Sequence, residues 1–238
     1  CCGGLAKVCY ICTPSSSAMF ESRVICICGL PGIGSVGKVA ADYLSVALEC
    51  SCIKPFFSRS FPPQVMVYKG ITRLLHSELM RPKERESMFI LSGDAQPLDV
   101  TGMYELAGEL LQAIADQGVT DIITLAAYVG ETDSKITGAA TDAESVAALK
   151  ECNIPLLRSG AIGGLNGLLA GMAPLYGLRG FCILSTSSGN DPVDIPAACT
   201  LLQAVRDLLH LDIEISLLGP PLEEPARPPR QEADMNYR

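Results

Sequence analysis

The chain has 238 residues, 48% of them hydrophobic, and a net charge of −8. That length bounds the fold to one large domain or two small ones with a substantial core. The acidic balance, with no stripe of Lys and Arg, excludes nucleic acid as a partner, because phosphate backbones demand concentrated positive charge.

Charged residues make up only 18% of the chain, below the roughly 25% of an ordinary globular domain. A surface this lean in charge is expected to be covered in part by other subunits. The 11 cysteines are concentrated before Ile53. The start, Cys1-Cys2-Gly-Gly-Leu, has no basic region followed by an apolar core, so the expected reading is cytoplasmic thiols rather than a disulfide framework. Cys9-x-x-Cys12 has metal or redox spacing, but no second C-x-x-C follows and the histidines, His76 and His210, lie far along the chain. No metal and no cofactor is expected.

In chain order, residues 1–22 are expected to be a flexible N-terminal segment. Arg23 to Leu30 is an apolar run that suggests a buried parallel strand, with Cys26 and Cys28 as small core residues on one face. Val36, Val39, Ala40, Tyr43 and Leu44 recur at helical spacing. Between strand and helix, Gly32, Gly34 and Gly37 spell the dinucleotide fingerprint G-x-G-x-x-G, while Gly32, Gly37 and Lys38 spell G-x-x-x-x-G-K, the P-loop.

Both templates are incomplete. Val39 stands where a P-loop needs Ser or Thr for magnesium. The region Cys50 to Arg59 offers no acid to hold a dinucleotide ribose. A third reading is geometric: glycines let the chain leave a strand and start a helix tight against the sheet. Backbone N–H groups at such a start would still attract an anion. The candidate anion set is Gly32, Gly34, Gly37 and Lys38, with polar help from Asp94 and Asn166.

Further along, Val65 to Tyr68 and Ile71 to Leu75 flank Lys69-Gly70 and predict a hairpin that makes the sheet mixed. Met88 to Ser92 and Thr120 to Ala127 read as strands. Thr101 is expected to cap a helix carrying Leu106, Leu110 and Ile114, closed by Gly118. Asp142 to Lys150 reads as a short helix, Arg179 to Leu184 as a strand, and Asp194 to Leu209 as an amphipathic helix. The uncharged stretch Ser159 to Leu178 nears the length of a membrane span, but its glycines, Asn166 and Pro174 fit a buried helix with tight turns. No membrane partner is expected.

Strands alternating with helices predict an α/β fold with a mixed, largely parallel sheet and helices on both faces. One domain is expected over residues 23–218, followed by a flexible tail over 219–238 in which Pro220, Pro221, Pro225, Pro228 and Pro229 alternate with charges. Asp94, Asp142 and Ser187 all follow apolar runs and could converge. No G-x-S-x-G elbow accompanies them, and no histidine follows a usable nucleophile.

Six segments occur in order: Gly29-Leu-Pro-Gly-Ile-Gly-Ser-Val-Gly-Lys38, Phe61-Pro-Pro-Gln-Val65, Ser92-Gly-Asp-Ala-Gln-Pro97, Gly138-Ala-Ala-Thr-Asp142, Gly163-Gly-Leu-Asn-Gly-Leu168 and Thr186-Ser-Ser-Gly189. Together they resemble the archaeal branch of the proteasome assembly chaperone 2 family over nearly the whole folded part. The resemblance implies a three-layer α/β/α fold, similar in outline to nucleoside phosphorylases. It also implies homo-oligomers that bind the proteasome core particle or its α subunits without ATP. Members often end in a hydrophobic–Tyr–any-residue tail that inserts between α subunits. This chain ends Met235-Asn-Tyr-Arg238, so Tyr237 matches, Asn236 replaces the apolar residue, and Met235 lies one position early. The implied partner contacts are Met235, Tyr237 and Arg238. The alternative function is a phosphate- or nucleotide-binding enzyme of phosphorylase-like architecture.

Overall fold

The computed structural model of the chain describes residues 20, 22–130 and 134–215. Cys9-x-x-Cys12 and the expected tail 219–238 lie outside the described residues. The first half folds as β1 (Ile25–Gly29), α1 (Val36–Ala47), β2 (Ser51–Phe56), β3 (Val65–Tyr68), β4 (Ile71–Leu74), β5 (Ser77–Arg81) and β6 (Met88–Gly93). The second half continues with α2 (Val100–Ala115), β7 (Asp121–Tyr128), β8 (Ile136–Ala140), α3 (Ala143–Glu151), α4 (Gly164–Met172), β9 (Arg179–Thr186) and α5 (Ile195–Leu209). Short 3-10 turns cover Ile33–Ser35 and Ala173–Tyr176.

Seven strands form one sheet in the order β2-β5-β6-β1-β7-β9-β8. At its centre β1 pairs in parallel with β6 and β7, and β7 with β9. These strands are covered on both faces, which is why β1 and most of β6 read as unbroken apolar runs. The two faces separate by the strand period of two. Ile25 and Ile27 pack with Leu44 of α1 and Leu201, Leu202 and Val205 of α5. Cys26 and Cys28 pack on the opposite side with Leu106 and Leu110 of α2 and Leu165 and Leu169 of α4. Each fully buried Leu in these layers contributes about 1.5–3 kcal/mol. The fold is therefore the expected three-layer α/β/α arrangement.

The mixed character arises elsewhere than expected. β3 and β4 form the predicted hairpin, but as a separate two-stranded ribbon. The antiparallel members of the main sheet are β5, next to β2 and β6, and β8, on the β9 edge. β2 and β5 escape simple periodicity because β2 is an exposed edge strand with a bulge between Cys52 and Lys54 and a proline inside it.

Helix starts also differ in detail. α2 is capped by Asp99 rather than Thr101: Asp99 is extended (φ −123°, ψ 158°) and its carboxylate accepts from the Gly102 N–H. Asp142 caps α3 and Asp194 caps α5 in the same way. The uncharged stretch becomes α4 and the following 3-10 turn, and among the described residues no helix is long and apolar enough to cross a membrane.

Candidate functional site

The glycine loop leaves the carboxyl end of β1 and is braced from three sides. The first brace is Asn166 of α4. Its Oδ1 accepts from the Leu30 N–H at 3.0 Å and its Nδ2 donates to the Leu30 carbonyl at 2.9 Å. The side-chain amide thus pairs both backbone groups of Leu30, as a neighbouring strand would. Asn166 is buried, so these bonds are made away from water.

The second brace is Gln96, from the loop after β6. Its Nε2 donates to the Pro31 carbonyl, and its Oε1 accepts from the Leu165 N–H at 2.7 Å. The third comes from the start of α5. The Asp194 N–H donates to the Gly34 carbonyl at 2.8 Å. The Asp194 carboxylate accepts from Ser187 Oγ at 2.6 Å and from the Ala197 N–H at 3.0 Å.

Two glycines are dictated by this arrangement. Gly34 has φ +55°, and a Cβ there would sit 2.9 Å from the Asp194 Cβ. Gly37 brings the first turn of α1 onto β7: a Cβ there would lie 2.0 Å from the Leu125 carbonyl oxygen. Gly32 is different. Its backbone is extended (φ −163°), and a Cβ there would meet nothing nearer than Asn166 Nδ2, at 3.7 Å. Val39, at the position a P-loop gives to a magnesium ligand, packs against the α1–α5 core.

The charged candidates have protein partners. Lys38 Nζ pairs with Asp42 one helical turn along α1, at 2.5 Å, and Asp42 also accepts from Ser92 Oγ. Asp94 forms a two-pronged ion pair with Arg73 of β4, at 2.5 and 2.9 Å, and accepts from the His76 N–H at 3.0 Å. Burial works against the Asp94 charge, but the Arg73 hydrogen bond and then the His76 N–H outweigh it and hold the carboxyl below its ordinary range. Asp94 thereby fastens the β3–β4 ribbon to the end of β6.

The structure thus joins Asn166 to the glycine loop, and ties Lys38 to Asp42 and Asp94 to the ribbon. Asp94, Asp142 and Ser187 do not converge. Ser187 follows the carboxyl end of β9, whereas the neighbour of Asp142, Thr141, bonds Gly180 at the opposite end of that strand. The Asp142 carboxylate is bonded to Ser145, at 2.8 Å from its N–H and 2.7 Å from its Oγ. Gln96 and Asp194 are the bracing residues that sequence patterns leave unmarked. For Gln96 the available signal was a polar amide directly before Pro97, inside the segment Ser92 to Pro97.

Cys26 and Cys28 lie side by side in the core, sulfur to sulfur 3.6 Å. Burial, followed by the Cys26 sulfur beside it, pushes the Cys28 thiol well up. Among the described residues, no group of three His, Cys, Asp or Glu side chains could hold a metal ion. A groove of about 480 Å³ lies at the root of the ribbon, lined in part by Phe57, Phe61, Pro62, Val65, Leu74 and Leu75.

This fold has known counterparts. The crystal structure of Pyrococcus furiosus PbaB, described as an archaeal proteasome activator, matches with a TM-score of 0.72 and 31% identity, covering 81% of this chain and 86% of that one. The structure of Pyrococcus furiosus PbaA, described as an archaeal homolog of proteasome-assembly chaperone, matches with a TM-score of 0.69 and 25% identity, covering 82% and 84%. The protein MJ1210 of Methanocaldococcus jannaschii is 33% identical over 196 residues, 80% of this chain and 75% of its own length. The model of the PAC2 family matches residues 26–233, from the first buried cysteine of β1 into the proline-rich tail, and the chain belongs to that family.

Proposed function

We propose that this protein is a non-enzymatic, homo-oligomeric chaperone or adaptor of the proteasome, binding the core particle or its α subunits. What carries the reading is the likeness to PbaB, an archaeal proteasome activator, at 31% identity over most of both chains. The internal bonding of the glycine loop supports it. The side chains of the candidate anion set, Asn166, Lys38 and Asp94, are engaged with Leu30, Asp42 and Arg73.

In this reading the tail supplies part of the contact. The last described residues meet α1 at Tyr43, whose Oη donates to the Glu214 carbonyl at 2.5 Å. Residues 216–238 continue from that point. A proline-rich stretch from Gly219 extends about 3 Å per residue when polyproline-like, enough to span on the order of 60 Å. Met235, Tyr237 and Arg238 would then reach a partner well clear of the domain. Several such tails on one oligomer would add weak contacts through avidity.

The test is capture of proteasome α subunits from a mixture by the tagged full chain, beside a version lacking Tyr237 and Arg238. Retention that falls on deletion supports the reading. Equal retention by both versions removes the tail from it, and no retention by the intact chain at low salt removes the proteasome.

A further inference from the structure

The β3–β4 ribbon projects from the main sheet with apolar side chains on both of its faces. Cross-strand pairs place Val65, Leu74 and Val67 on one face and Tyr68 with Ile71 on the other. All five are exposed, Tyr68 at 71% and Ile71 at 74%. An isolated two-stranded hairpin is marginal in water. This one is tied to the body through Arg73–Asp94 and through Met66, which packs against the α2–α4 core.

The exposed apolar area continues beyond the ribbon. Phe57 stands at its root, its ring 5.8 Å from that of His76. The loop carrying Ser60 then meets the start of α2, where the Leu98 N–H donates to the Ser60 carbonyl at 2.8 Å. Leu98, Val100 and Tyr104 are exposed there as well. Exposed apolar side chains in this number mark covered surfaces in the working protein.

Charge indicates what covers it. Between Cys50 and Ser77 the chain carries Lys54, Arg59, Lys69 and Arg73 and no Asp or Glu. Between Glu86 and Ser134 it carries no Lys or Arg at all. Glu105 and Glu109 of α2 and Asp116 at its C-cap lie along one exposed stripe, roughly a quarter of a turn or more around the helix from Val100 and Tyr104. With Arg73 paired to Asp94, one chain therefore presents an apolar arm carrying Lys69 at its turn and, separately, an acidic helix face beside an apolar helix start. These two surfaces complement each other in both sign and hydrophobicity.

We infer that the β3–β4 ribbon is an exchange arm: in the oligomer it lies on the outer face of α2 of a second copy of this chain. Tyr68 and Ile71 bury against that copy, and Lys69 meets its acidic stripe. Every copy gives one arm and receives one, the reciprocity that closed symmetric assemblies require. The inference rests on the self-association part of the proposed function and is independent of the proteasome.

Sedimentation velocity of the full chain over a concentration series tests it. Tyr68→Ser with Ile71→Ser should weaken assembly by roughly a hundredfold or more, since two large apolar side chains lose their cover. Melting of the monomer should be unchanged, because both positions are exposed. Lys69→Glu should weaken assembly by about two- to fivefold, as should Glu105→Lys with Glu109→Lys, and combining them should recover it. A monomeric parent overturns self-association and the arm together. An oligomer indifferent to the Tyr68 and Ile71 changes overturns the arm alone. Dissociation by those changes without charge recovery overturns α2 as the acceptor. Capture of proteasome subunits, read in parallel, reports separately on the partner.

Discussion

The side-chain amide of Asn166 occupies both backbone hydrogen-bonding groups of Leu30, 136 residues earlier in the chain, at 3.0 and 2.9 Å. This pair locks α4 to the end of β1 and fixes where the glycine loop begins. Asn166→Ala leaves a buried donor and a buried acceptor unpaired, at about 1–3 kcal/mol each, so a total loss of roughly 2–6 kcal/mol is expected. Denaturant unfolding at constant slope measures it. A loss below about 1 kcal/mol contradicts the bracing role.

The glycine loop separates into positions the fold needs and positions it does not. Gly37→Ala drives a methyl into the Leu125 carbonyl oxygen, 2.0 Å away, and α1 must move. The expected cost is about 2 kcal/mol or more, since overpacking against backbone has no rotamer escape. Gly32→Ala meets nothing closer than 3.7 Å and is expected to change stability by less than about 0.5 kcal/mol. Thermal unfolding of the two variants side by side checks the contrast. Equal damage at both positions contradicts the turn reading.

Asp94 makes the ribbon acid-sensitive. Its folded pKa lies below the ordinary 3.8, against the opposing effect of its burial, because Arg73 and the His76 N–H favour the charged form. A depressed carboxylate contributes stability that is fully present above the unfolded pKa and is lost as pH falls through the folded one. Protection of the β3 and β4 amides, relative to their intrinsic exchange rates at each pH, should therefore fall below about pH 4. Asp94→Asn should show low protection already at neutral pH and little further loss of it on acidification. An unaltered profile in that variant removes the ion pair as the fastener.

Cysteine reactivity should follow burial rather than position in the chain. Burial pushes Cys50 up to about 11. Burial, then the charge of Glu78, raises Cys52 as well, but its side chain is exposed on the edge strand. Cys26 and Cys28 are enclosed. Brief alkylation of the native protein near pH 8, read by peptide mass, should label Cys52 before Cys50 and leave Cys26 and Cys28 for the unfolded state. Early labelling of Cys28 contradicts the core assignment.

The layered fold was legible because its central elements obey simple rules. β1 and most of β6 are unbroken apolar runs, and α5 shows a clean helical stripe through Leu201, Leu202, Val205 and Leu209. β2 and β5 were not legible: an edge strand with a proline and a bulge carries no period. The hairpin was visible in Lys69-Gly70, yet local turn chemistry says nothing about whether a ribbon joins the sheet, which depends on the distant Arg73–Asp94 pair. At the glycine loop the motif was plain and its meaning was not. Whether a lysine faces a phosphate or an Asp four residues on is a matter of tertiary placement. The Asn166 clasp spans 136 residues, beyond any local pattern.

We propose binding to the proteasome rather than to a small anionic substrate. The most direct measurement is equilibrium binding of the intact chain to purified proteasome core particle at low salt, repeated with Tyr237 and Arg238 deleted. Saturable binding that weakens at least about tenfold on deletion is the predicted result, corresponding to ~1.4 kcal/mol or more for the tail. No saturable binding by the intact chain, while phosphate or a nucleotide raises its melting temperature, would contradict the account and return the glycine loop to the centre of the function.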